Sequence, residues 1–200
     1  VLHAYLGGQA GAGAIMDVLT GRMNPSGKLA ETLPLTYEDT PAARYFPGKQ
    51  QNVEYREGLY IGYRYYETAH VPVRYPFGYG LSYTTYKYDD LDVRITDRSR
   101  ATVTVSFNVT NTGKMAGGEV TQLYVADVKS KEPRPLKELK AFEKVWLQPG
   151  ETRRVTLHLS ARDFEYYSEK ADRWVFEKGA FIIKVGASSQ DIRLEKQIKL

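Results

Sequence analysis

Thr102-Val103-Thr104-Val105-Ser106-Phe107-Asn108-Val109-Thr110 is the stretch whose reading decides the fold. Val103, Val105, Phe107 and Val109 alternate with hydroxyl and amide residues, so a strand here puts every apolar side chain on one face. Its β-branched residues favour the pleated conformation. Asn111-Thr112-Gly113 then ends the run with turn chemistry. The alternation returns at Val155, Leu157 and Leu159, after the turn Gln148-Pro149-Gly150-Glu151, and at Phe181, Ile183 and Val185, after Gly179. Leu91-Val93-Ile95, Val120 to Val125, Leu139 to Leu147 and Ile192 with Leu194 supply the remaining apolar runs.

About seven short strands separated by turns predict a β-sandwich of fibronectin III or immunoglobulin type over residues 87–200. With no cysteine in the chain, the disulfide-bearing immunoglobulin pattern is absent and the fibronectin-like variant is favoured. Trp146 and Trp174 are expected on sandwich strands, as core or edge residues. Asn108-Val109-Thr110 matches a glycosylation acceptor, yet it falls inside a strand and reads as fortuitous.

Upstream, residues 37–86 show no sustained period and hold eleven of the sixteen tyrosines, with Phe46, Phe77 and four prolines. A flexible linker is rich in Gly and Ser. Aromatic rings in this number are costly to leave in water, so the segment is expected to be a strap pinned onto neighbouring domains. Residues 1–36 read as strand, glycine loop, helix, turn and strand: Val1 to Leu6, then Gly7-Gly8, then Ala14, Ile15, Val18 and Leu19 at helical spacing, with Gly21 ending the helix. Asn24-Pro25-Ser26-Gly27 reads as a turn. Such a β-α-β unit is too short to bury its own faces and needs a parent domain. The first residues lack an initiator Met and a basic run, and are expected to be an internal strand, not a signal peptide.

The chain has 42% hydrophobic and 26% charged residues, an ordinary globular composition, and no run nears the roughly 20 apolar residues of a membrane span. It is expected to be soluble, with no membrane partner; the compartment, cytoplasmic or secreted, stays open. Absence of cysteine and three scattered histidines, His3, His70 and His158, argue against a metal site. The net charge of +4 invites a nucleic-acid reading, but basic and acidic residues interleave, as from Lys129 to Glu138, which reads as a solvated loop held extended by Pro133 and Pro135. No nucleic-acid partner is expected. Gly7-Gly8-Gln9-Ala10-Gly11-Ala12-Gly13 fits neither a dinucleotide fingerprint nor a phosphate loop, since Ala14-Ile15 follow it, and no cofactor is expected. Asp17, Glu31, Glu38, Asp39, Glu54 and Glu57 supply carboxylates, none in a context that singles it out. Asp17 reads as solvated; Glu57 and Arg64 read as an ion pair or an interface contact.

Ordered motifs along the whole chain carry a resemblance. Gly8-Gln9-Ala10-Gly11, Ala14 to Gly21 and Asn24 to Leu29 resemble the end of the α/β sandwich domain of family 3 glycoside hydrolases, although usual members have Pro at the position of Gly8 and an acidic residue at that of Ala10. Tyr55 to Tyr66 resembles the family's connector, and Pro76-Phe77-Gly78-Tyr79-Gly80-Leu81-Ser82-Tyr83-Thr84 the entry to its fibronectin III-like domain. Val109 to Gly113, Gln122 to Val125, Leu139 to Val145 and Pro149 to Thr152 follow in order.

The resemblance implies a fold that is mainly β: residues 1–36 as the end of an α/β sandwich domain, 37–86 as a tyrosine-rich interdomain connector, and 87–200 as a fibronectin III-like sandwich. It implies a β-glucosidase-like retaining enzyme acting on a glucoside or oligosaccharide, with an Asp nucleophile from a TIM barrel and a Glu acid/base from the α/β domain. The nucleophile motif has no match here and the acid/base of the family normally lies upstream of the Gly8-Gln9 motif, so no catalytic residue is assigned, and the partner is the rest of the same polypeptide. Glu57, Tyr63, Arg64, Tyr65, Phe77 and Tyr79 are the candidates for interdomain contact. A carbohydrate-binding module presenting Trp146, Trp174 or connector tyrosines, and a structural or protein-interaction sandwich, are the alternatives.

Overall fold

A computed structural model describes residues 1–49 and 51–200. Helix α1 (Gly11–Leu19) ends where Gly21 takes a left-handed φ of 72°, the conformation a glycine adopts without steric cost. Strands β1 (Leu33–Pro34) and β2 (Val73–Tyr75) pair with each other, and helix α2 (Tyr63–Thr68) precedes β2. The sandwich then runs through β3 (Tyr86–Asp97), β4 (Thr102–Asn111), β5 (Gly117–Asp127), β6 (Glu138–Leu147) and β7 (Thr152–Leu159). A small hairpin, β8 (Tyr166–Ser168) and β9 (Arg173–Val175), is followed by β10 (Ala180–Gly186) and β11 (Ile192–Lys199).

Two antiparallel sheets form the sandwich, β3-β4-β7 and β11-β10-β5-β6. Along β4 every second residue is buried, as the alternation predicts, and Val105 pairs with Leu157 across the β4–β7 ladder. Val105, Phe107, Val109, Leu123, Val125, Val145, Val155, Phe181 and Ile183 close the space between the sheets. Each fully buried side chain of this size stabilises by about 1.5–3 kcal/mol. On the open face of β4, hydroxyl pairs Ser106–Thr156 and Thr110–Thr152 lie across from each other.

Strand β5 departs from alternation: all but two of its residues are buried. Leu123 and Val125 face the core, while Gln122 and Tyr124 are covered from outside by the connector. That double burial explains why the Val120 to Val125 run reads as continuous instead of alternating.

Three expectations are corrected. Val1 to Leu6 form no strand, because no neighbouring strand is there to accept their ladder bonds. Asn24 to Gly27 form no turn; Asn24 is buried, and its side chain is spent on other segments. The 129–138 stretch is not a uniformly solvated loop, since Pro135 is buried and Arg134 keeps only 6% of its side chain exposed. Its partners come from β5, β6 and the 164–165 segment, invisible to local reading.

Candidate functional site

The candidate site is the seam where the N-terminal segment and the connector meet the sandwich. Asn24 begins it. Its Nδ2 donates to Ala116 O at 3.0 Å, and its Oδ1 accepts from Ser82 Oγ at 2.9 Å and Tyr83 N at 2.8 Å. Ser26 Oγ accepts from Gly118 N at 2.9 Å, and Lys28 Nζ reaches buried Glu119 at 3.1 Å. Glu119 also accepts from Tyr88 Oη at 2.9 Å, inside the sandwich. Burial, with the Glu119 charge beside it, pushes the Tyr88 phenol well up. Leu29 exchanges backbone hydrogen bonds with the connector, its N donating to Tyr79 O at 2.8 Å and its O accepting from Gly78 N at 2.7 Å.

Gln122 is the connector's anchor on β5. Its Nε2 donates to Gly78 O at 3.2 Å and to Ala187 O at 2.8 Å, and its Oε1 accepts from Tyr124 Oη at 2.6 Å. Gly78 has φ 79°, and a Cβ there would run into the Gln122 amide. Gly80 is equally tight, facing Gly27 O. These two positions require glycine by close approach, and Gly78 by its dihedral as well.

Tyr63, at the start of α2, accepts a hydrogen bond from Leu139 N at 2.7 Å and packs its ring 5.1 Å from Phe77 and 5.8 Å from Tyr124. Burial raises the pKa of both tyrosines. Phe77 O accepts from Ser189 N at 2.9 Å, and Tyr79 stacks on Tyr75 at 5.3 Å. Arg64 adds its charge to the field on Glu138. The structure thus brings Tyr63, Phe77, Tyr79 and Arg64 onto the seam. Tyr65 instead turns edge-on to Tyr66, and Glu57 sits in the turn before α2, its O accepting from Tyr60 N. Among the described residues Glu57 and Arg64 form no ion pair, which corrects one of the two roles read for them.

Below the connector lies a charged knot. Arg134 donates to Glu138 at 2.8 Å, Asp127 at 3.4 Å, and the carbonyls of Phe164 and Glu165 at 3.0 and 3.4 Å. Burial pushes Glu138 up, but the Arg134 hydrogen bond and the Lys140, Arg134 and Arg64 charges outweigh it and hold the carboxyl below its usual range. Burial, with Arg134 nearby, lowers the Lys140 ammonium against the pull of Glu138. Lys137 pairs with Glu67 of α2, tying connector to β6.

Asn24, Gln122, Arg134 and the Lys137–Glu67 pair escape sequence reading. Only Gln122 leaves a signal, as an amide within an apolar run that must find buried partners. Trp146 and Trp174 are 48% and 47% exposed rather than core. Trp174 lies on the β8–β9 hairpin, one ring face 3.3 Å from the Arg162 guanidinium. Asp17 is half-exposed and pairs with exposed Arg22 at 3.0 Å. Among the described residues no group of three or more His, Asp or Glu side chains is placed to hold a metal. The deeply buried carboxylates are committed to ion pairs: Glu119 to Lys28, Asp127 and Glu138 to Arg134, Glu67 to Lys137.

Residues 1–83 match the family model for the glycosyl hydrolase family 3 C-terminal domain, and residues 119–189 match that for a fibronectin type III-like domain. The chain carries the C-terminal domain of glycosyl hydrolase family 3 and a fibronectin type III-like domain. Among its relatives, thermostable beta-glucosidase B of Acetivibrio thermocellus is 52% identical over 201 residues, all of this chain and 27% of that protein. An exo-alpha-(1->6)-L-arabinopyranosidase of Bifidobacterium breve is 45% identical over 192 residues, 96% of this chain and 25% of that protein. The crystal structure of a family 3 beta-glucosidase from Bifidobacterium adolescentis matches with a TM-score of 0.92 at 43% identity, covering 96% of this chain and 28% of that one. The chain therefore spans about a quarter of the length of the curated relatives it matches.

Proposed function

We propose that this chain is the bracing, non-catalytic portion of a retaining family 3 enzyme that removes terminal β-linked sugars. In this reading residues 1–36 complete an α/β sandwich domain, 37–86 are the interdomain connector and 87–200 the fibronectin III-like sandwich. The partner is the TIM barrel and the remaining α/β domain of the same polypeptide, which would carry nucleophile and acid/base.

The observation that carries the reading is that, among the described residues, the buried carboxylates Glu67, Glu119, Asp127 and Glu138 are engaged in structural ion pairs. One relative is named for a glucoside and another for an arabinopyranoside, at 52% and 45% identity over this same stretch. That supports placing sugar choice in the parts these 200 residues do not include. Leu6, Leu19 and Met23 of the first segment and Tyr55, Leu59 and Leu81 of the connector stand exposed, the apolar surface a docking domain would cover. Glu57 and Tyr65, unused in the seam, are the connector residues left for that contact.

The purified 200-residue chain is expected to show no hydrolysis of nitrophenyl β-glycosides above buffer background. Turnover that co-purifies with the chain through successive columns would contradict the assignment.

A further inference from the structure

Asn24 to Leu29 form neither helix nor turn. Asn24 bonds to Ala116, Ser26 to Gly118 and Lys28 to Glu119, so the contacts climb the start of β5 in step with the segment. Contacts from every second side chain have the period of an extended strand. The sandwich leaves room for them. A Cβ on Gly117 would sit 2.4 Å from Asn24 Nδ2, and one on Gly118 3.2 Å from Ser26 Cβ. A Cβ on Gly80 of the connector would lie 2.3 Å from Gly27 O. Three glycines thus make a floor on which the segment lies closer than larger residues would permit.

Each of the three positions asks for different chemistry. Asn24 is 4% exposed and uses both ends of its amide, donating to Ala116 O and accepting from Ser82 Oγ and Tyr83 N. An aspartate would lose the donor. Ser26 Oγ accepts from Gly118 N at 2.9 Å and donates to Asn24 O at 3.2 Å. Its place beside Gly118 is also hemmed in by Lys144 and Trp146 of β6, so a small residue is required. Lys28 brings the cation that Glu119, 3% exposed, needs at such depth. Gly27 is not read, since a Cβ there would meet open space.

We propose that this glycine floor is a peptide-recognition site, specific for an extended Asn-x-Ser-x-Lys segment and able to hold it without a covalent tether. Alternate side chains seated along a sheet are a general way of reading extended peptides. In the intact chain the site is filled by residues 24–28, whose link to the sandwich passes through exposed residues 51–56. Cut there, the N-terminal piece becomes a ligand. The inference goes beyond the bracing role and does not depend on the enzyme reading, because every contact it uses lies within these 200 residues.

The test uses the 200-residue chain with a site-specific protease sequence inserted between Val53 and Glu54, in exposed backbone of the kind that tolerates insertion. After cleavage, size-exclusion chromatography over a dilution series reads the affinity of the two pieces. They are expected to stay together at about 1 µM. Lys28→Met should weaken the association by at least about a hundredfold, since it leaves Glu119 buried without its cation. Ser26→Ala, which strands Gly118 N, should weaken it by about tenfold. Asp17→Ala, on the exposed Arg22 pair, should leave it unchanged. Amide spectra taken before cleavage report whether each variant has folded, and Ser26→Ala gives the reading if Lys28→Met does not fold. Strand β1 travels with the same piece, so the substitutions, not co-elution alone, locate the recognition. Pieces that separate even at about 100 µM would overturn the proposal. So would association that the substitutions leave within about twofold of the parent, which would place the hold in the β1–β2 pairing instead.

Discussion

Arg134→Ala is expected to cost the chain about 3–5 kcal/mol of stability, the range for breaking a buried ion pair from one side. The guanidinium is 6% exposed and serves two carboxylates and two carbonyls. Its loss leaves Asp127, 5% exposed, without its cation and strands Phe164 O and Glu165 O. Arg134→Lys should recover part of this, since an ammonium cannot span the same fork. The pH dependence gives a second readout. Glu138 titrates below its ordinary value in the folded state, so its contribution is present above the unfolded glutamate pKa of about 4.3 and is lost as pH falls through the lowered value. Denaturant midpoints across that acid window should fall less steeply in Arg134→Ala than in the parent. An unchanged midpoint at neutral pH would show that the knot is not structural.

Gly78→Ala is expected to unseat the connector, at a cost of about 2–5 kcal/mol. Two penalties combine. A Cβ at φ 79° is strained by about 1–2 kcal/mol, and the same Cβ collides with the Gln122 amide that anchors the segment, an overpacking term of about 1–3 kcal/mol. Gly58→Ala separates the two, because Gly58 has φ 55° with open space around it and pays only the backbone strain. Limited proteolysis should then cut Gly78→Ala within residues 60–84 much faster than the parent, with Gly58→Ala close to the parent. Equal rates for all three would remove the anchor.

The sandwich was legible because its signal is local. Val103 to Val109 and Val155 to Leu159 carry their register in their own alternation, and both strands pair as that pattern requires. The seam was legible only as a demand. Eleven tyrosines in fifty residues say that the connector must be covered, but not by what; the structure answers with Tyr124, Gln122 and Leu139. Asn24 reads as a turn because Asn-Pro-Ser-Gly is turn chemistry, and only its partners at 82, 83 and 116 turn it into a buried clasp. Arg134 and Lys137 look solvated for the same reason: an ion pair 70 residues apart, such as Lys137 with Glu67, leaves no periodicity. Val1 to Leu6 is the reverse case, an apolar run that finds no ladder partner among the described residues.

The central claim is that the connector and the Asn24–Leu29 segment are latched to the sandwich as one cooperative body. Native-state hydrogen exchange on the 200-residue chain tests it most directly. The account predicts that the amides of Gly118, Leu139 and Ser189, whose acceptors Ser26 Oγ, Tyr63 Oη and Phe77 O lie on the other side of the seam, exchange with opening free energies close to those of Val105 and Leu123 in the core. Exchange of those three amides near the unprotected rate, with the core still protected, would contradict it.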